Sequence, residues 1–70
     1  MRWSPERLDQ LERAIRDGRR VAVMRRGTEY IIVALRVTVQ GSREAFVGRL
    51  PMTGEELTFV LDDLEGFHVV

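Results

Sequence analysis

Residues 16–40 read RDGRRVAVMRRGTEYIIVALRVTVQ, and the fold turns on how this stretch divides. Up to Gly18 the apolar side chains recur at helical spacing; beyond it they alternate. Glycine at the changeover supplies the left-handed residue that ends a helix. After it, Arg20 to Arg26 reads as one strand and Glu29 to Gln40 as a longer one. Gly27-Thr28 joins them, and glycine in the first central position suits a type II′ hairpin. That register sets Val23 opposite Ile32, Met24 opposite Ile31, and Arg26 opposite Glu29 as an ion pair. The long strand carries Ile31, Val33, Leu35, Val37 and Val39 on one face. The other face carries Tyr30, Ile32 and Ala34 before turning polar at Arg36. Its start is therefore apolar on both sides, as in a curled sheet with an interior on one side. The outer apolar face, taken to be that of Tyr30 and Ile32, is then covered by the chain's own helix or by another subunit.

Upstream, Ser4-Pro5-Glu6 is a helix start: a serine N-cap, proline at the first helical position, and a carboxylate facing the positive end of the dipole. Trp3 and Leu8 are placed for a hydrophobic staple. Leu8, Leu11, Ala14 and Ile15 form one narrow stripe, so the helix covers about residues 5–17 and must dock to be stable at this length. Downstream, Gly41-Ser42 turns into a strand over Arg43 to Leu50. Pro51-Met52-Thr53-Gly54 then turns into another over Glu56 to Leu61. Asp62 to Gly66 reads as a 3₁₀ turn, and Phe67 to Val70 as a last strand. Phe46, Phe59 and Phe67 fall at core positions of these alternations, and His68 at an outward one.

These elements predict a mainly β fold with one N-terminal helix, a five-stranded, strongly bent antiparallel small barrel of the SH3-like or Sm-like kind over about residues 19–70. Seventy residues make a single domain, 1–70, with no linker or repeat. So short a chain has little stability to spare, so a homo-oligomer is among the expectations. There is no cysteine, which fits a reducing cytoplasm, and the longest apolar run, Ile31 to Leu35, is too short to span a membrane.

The 11 basic and 11 acidic residues balance but are unevenly placed. Every basic residue is an arginine at or before Arg49, while residues 51–70 hold five carboxylates and no base. Five arginines crowd residues 16–26. Arg16, Arg19 and Arg20 sit at the helix end, where positive charge is favoured without any ligand. Arg25 and Arg26 project to opposite faces of a strand. A phosphate-tracking surface would need several of these on one face. Tyr30 is the one ring placed beside an arginine, Arg25, for a cation–π contact across the hairpin. For catalysis the sequence offers only adjacent carboxylates, Glu55-Glu56 and Asp62-Asp63, whose side chains diverge; no cofactor or metal set is present. The expectation is a protein that is not an enzyme.

A helix running straight into five short strands resembles the Sm-like proteins. In detail, Leu8 to Gly27, a helix leading into a strand and glycine turn, and Leu61-Asp62-Asp63-Leu64-Glu65-Gly66-Phe67, a hydrophobic-acidic turn before the last strand, are similar to the Rho-binding antiterminator (Rof) family. The Sm-like resemblance implies RNA binding through an Asp-x-x-x-Asn signature, but Val37 to Leu50 contains no asparagine. The Rof resemblance implies a regulator that binds a protein of the transcription termination machinery through an acidic surface. The residues available for one are Glu6, Asp9 and Glu12 on the helix and Asp62, Asp63 and Glu65 near the end of the barrel. The leading expectation is thus a non-catalytic module with a protein partner. The alternatives are an RNA or DNA binder using Arg16, Arg19, Arg20, Arg25, Arg26 and Tyr30, and an oligomeric assembly subunit.

Overall fold

A computed structural model describes residues 1–70. Helix α1 (Pro5–Asp17) precedes strands β1 (Arg20–Arg25), β2 (Thr28–Gln40), β3 (Arg43–Arg49), β4 (Glu56–Val60) and β5 (Gly66–Val69), with a 3₁₀ turn (Leu61–Asp63) between β4 and β5. The helix forms where its caps dictate. Ser4 Oγ accepts the Arg7 N–H at 3.2 Å, and Gly18, at φ 66°, ends the helix with its own N–H on Ile15 O and the Arg19 N–H on Ala14 O.

All five strands form one antiparallel sheet in the order β4-β3-β2-β1-β5. The outermost strands, β4 and β5, pair on one side only and no ladder joins them, so the sheet is open. It is nevertheless sharply bent: Arg25 Nη1 at the end of β1 donates to Thr58 O on β4 at 3.2 Å, although two strands separate them in the sheet. Trp3 also bridges the two outer strands: its Nε1 donates to Leu61 O, directly after β4, at 2.9 Å, and its ring lies 5.0 Å from that of Phe67 on β5.

One core fills the concave side. Val21 and Val23 of β1, Ile32 and Ala34 of β2, Phe46 of β3 and Phe59 of β4 meet Leu11 and Ala14 of the helix, with Leu61 and Leu64 closing the end. Each fully buried Val, Leu, Ile or Phe contributes roughly 1.5–3 kcal/mol. Phe46 and Phe59 stack at 5.5 Å between centroids and are wholly buried, as their alternation requires, while Phe67 packs at the margin. His68, opposite Ala22, faces outward.

The expected hairpin register is corrected by two residues. Arg25 faces Thr28, Val23 faces Tyr30 and Val21 faces Ile32. The turn is Arg26-Gly27, not Gly27-Thr28, and both residues have positive φ, 52° and 76°. A type I′ turn needs that conformation twice, and it matches the twist of the flanking strands. A shift of two leaves every side chain on its expected face, but it removes the Arg26–Glu29 pair: Glu29 now faces Met24.

The face assignment of β2 is also corrected. Tyr30, Ile32 and Ala34 point into the core, and the helix packs on that same side, so no part of the chain covers the outer face at Ile31, which stays 40% exposed. Nor is the row from Ile31 to Val39 continuous. Ala34 pairs with Gly48 and Arg36 with Val47, leaving Leu35 as an extra residue. This β-bulge reverses the alternation. Before it Ile31 and Val33 face outward; after it Val37 lies opposite Phe46 and Val39 opposite Glu44, on the concave side. There the hairpin runs beyond the core and both valines remain exposed.

Candidate interaction surfaces

The six residues expected to form a nucleic-acid or partner surface do not assemble into one. Arg16 pairs with its neighbour Asp17 at 3.3 Å. Arg19 Nη2 donates to Val70 O at 3.1 Å. Arg20 opens β1 and Arg25 closes it, roughly 17 Å apart at the rise of an extended strand. Arg25 is turned inward, its guanidinium 5.2 Å from the Tyr30 centroid and 4.8 Å from that of Phe59. The expected cation–π contact is therefore present, with a second ring added, and Tyr30 packs edge-on against Phe59 instead of offering an open face. Arg26 occupies the turn.

The carboxylates expected at an acidic edge are also largely engaged. Asp63 Oδ1 accepts from Arg43 Nη2 at 2.7 Å, and Glu65 Oε1 accepts the Gly27 N–H at 2.9 Å. Arg36 and Glu56 pair at 3.4 Å. Folding thus sets part of the acidic C-terminal stretch against the basic part of the chain. These ion pairs are solvent-exposed and each is worth at most about 1 kcal/mol. Of Asp62, Asp63 and Glu65, only Asp62 has no hydrogen bond or ion pair.

Three features emerge that no local pattern in the sequence announces. The first is a cross-strand row on the outer face: Arg20 on β1, Val33 on β2, Arg49 on β3 and Glu56 on β4. Arg20 and Arg49 flank Val33 and neither forms an ion pair. Alternation puts Arg49 on a face, but only the register brings it level with Arg20.

The second is Gly48, in the middle of β3 and opposite Ala34. A Cβ there would fall on Ile32 Cδ1 and lie 3.0 Å from Ile32 Cγ1. This glycine is the space into which Ile32 packs.

The third is a groove of about 400 Å³ between the helix start and the tip of the β2–β3 hairpin. Trp3 and Leu8 line it from the helix side, Ser42, Arg43 and Glu44 from the hairpin, and Leu61 and Asp62 from the 3₁₀ turn. Trp3 and Leu8 both pack against the core as well as lining this groove, and Trp3 is held by Leu61 O and the Phe67 ring.

Two sheet edges remain. Thr58 O points out of the β4 edge, where Arg25 occupies it. The β5 edge runs beside the exposed Val70. No helix is long and apolar enough to cross a membrane. Comparison with protein-family models, curated proteins and solved structures yields no match to this chain.

Proposed function

We propose that this chain is a non-catalytic interaction module, a small barrel of the SH3-like or Sm-like kind, that recognises a protein partner. The Rof resemblance would place that partner in the transcription termination or RNA machinery. The observation that supports the reading is the open strand order: β4 and β5 each leave a row of backbone donors and acceptors unpaired by the sheet. Such an edge is a template for another strand, and a protein that keeps one beside apolar side chains offers it a partner. Both edges are short, five and four residues, which limits indiscriminate pairing. The charge pattern agrees, since three of the five arginines in residues 16–26 are engaged within the fold: Arg16 at the helix end, Arg19 on a main-chain oxygen and Arg25 against two aromatic rings.

Affinity capture from cell extract, with and without nuclease, tests this, combined with light scattering of the purified protein over a range of concentrations. A protein retained after nuclease treatment is the expected result. Retention abolished by nuclease supports RNA or DNA binding instead, and a mass that rises with concentration supports an assembly subunit built from copies of the chain.

The nucleic-acid reading keeps one specific observation in its favour, the Arg20–Val33–Arg49 row. Two cations on one face can track two phosphates; the five arginines of residues 16–26 would have made a much stronger site.

A further inference from the structure

We propose that the groove between the helix start and the β2–β3 hairpin tip binds an extended peptide segment in which an apolar side chain adjoins an arginine or lysine. This groove is separate from the two sheet edges, so its test stands apart from theirs. Its volume of about 400 Å³ lies within the range of sites that accept small ligands. Leu61, buried, and the half-buried Leu8 and Trp3 give it an apolar lining.

Its charge is one-sided. Arg43, the only cation among the lining residues, is neutralised by Asp63 at 2.7 Å, whereas Glu44 and Asp62 are exposed and have no ion pair or hydrogen bond. Two free carboxylates repel a phosphate backbone and attract a basic side chain.

Apolar surface continues beyond the groove. Val39 lies directly opposite Glu44 and is 64% exposed, and Val37, two residues before it on the same face, is 49% exposed. Both are on the concave side because of the bulge at Leu35, so an apolar ledge adjoins a carboxylate at the hairpin tip. A segment alternating apolar and basic side chains matches that arrangement.

Trp3 lines the groove and is the only tryptophan in the chain, so its emission reports occupancy. The probe is the tetrapeptide Arg-Leu-Arg-Leu, acetylated and amidated at its ends, titrated into the whole protein at low salt; Glu-Leu-Glu-Leu serves as control. The expected result is a saturable change in Trp3 emission with the basic peptide and none with the acidic one. Glu44→Gln combined with Asp62→Asn, which breaks no ion pair or hydrogen bond within the fold, should weaken the basic peptide about fivefold. Leu8→Ser should weaken it at unchanged salt dependence. An equal response to both peptides, no response to either, or an affinity unaffected by the double substitution overturns the proposal. So does a saturable Trp3 response to single-stranded RNA, or one that follows the protein's own concentration without peptide.

Discussion

The Arg25 guanidinium lies 4.8 Å from the ring of Phe59, across a space that no sheet ladder spans. From that position it also covers Tyr30 and donates to Thr58 O, so one side chain of β1 holds β4 against the bend of the sheet and occupies a carbonyl of its free edge. Replacing Arg25 by methionine keeps much of the packing and removes the cation and the donor. A loss of about 1–2 kcal/mol is expected, from the cation–π interactions and one hydrogen bond. That corresponds to a fall of roughly 4–16 °C in Tm for a domain of this size. Arg25→Met should also self-associate more readily, because the Thr58 carbonyl is released. Thermal melts and light scattering check the two effects separately. An unchanged melting temperature would deny the clamp.

Gly48 and Ile32 are coupled by shape. Gly48→Ala should destabilise by roughly 1–3 kcal/mol because its methyl group falls where the Ile32 side chain lies. Ile32→Val removes Cδ1, the nearest atom, and alone should cost about 0.5–1.5 kcal/mol. The double variant should be more stable than the sum of the two predicts, by about 1 kcal/mol. Urea unfolding of all four proteins gives this coupling directly, and additive losses would contradict the close approach.

Arg26 is the one residue other than glycine with positive φ. Asparagine tolerates that conformation far better, and Asn-Gly is the pair favoured in a type I′ turn. Arg26→Asn should therefore stabilise the protein by roughly 0.5–1 kcal/mol. A lower urea midpoint would show that the turn adopts another conformation in solution.

Affinity for single-stranded RNA should depend only weakly on salt. With Arg20 and Arg49 the only free cations in one row, the slope of log K against log salt should be no steeper than about −1.4, or −0.7 for each of two phosphates. Arg19→Ala with Arg20→Ala should then make the slope shallower by about 0.7, the share of Arg20 alone. A wild-type slope near about −3.5, as five cooperating arginines would give, restores the nucleic-acid reading.

The element order and the core aromatics were legible because they depend on local signals: the Ser4 cap, Gly18, and alternation around Phe46 and Phe59. The positions that decide surfaces were less so. The hairpin turn hung on whether Arg26 accepts positive φ, an unfavoured conformation for arginine that only strand twist justifies. The outer face of β2 was assigned to the wrong side because a period of two cannot say which side is inside. Nothing local marks Leu35 as the bulged residue, since it continues an unbroken apolar run. Glycine at position 48 looks like a weak strand residue until Ile32 is placed against it. The free row of Arg20 and Arg49 and the groove at Trp3 both arise from registers between distant segments, which alternation within a segment does not encode.

Leu35 fixes a shape without fixing a phase. Deleting that one residue would leave Ala34 opposite Gly48 and Arg36 opposite Val47 in an unbroken ladder, so Val37 and Val39 would keep the concave side and only the local kink would go. A residue removed elsewhere from one arm alone would instead turn over every side chain beyond it. The hairpin tip at Gly41-Ser42 could gain or lose residues in matched pairs, one from each arm, without that reversal. Length variation in this hairpin should accordingly be tolerated in even steps at its far end and, as a single step, only at its base.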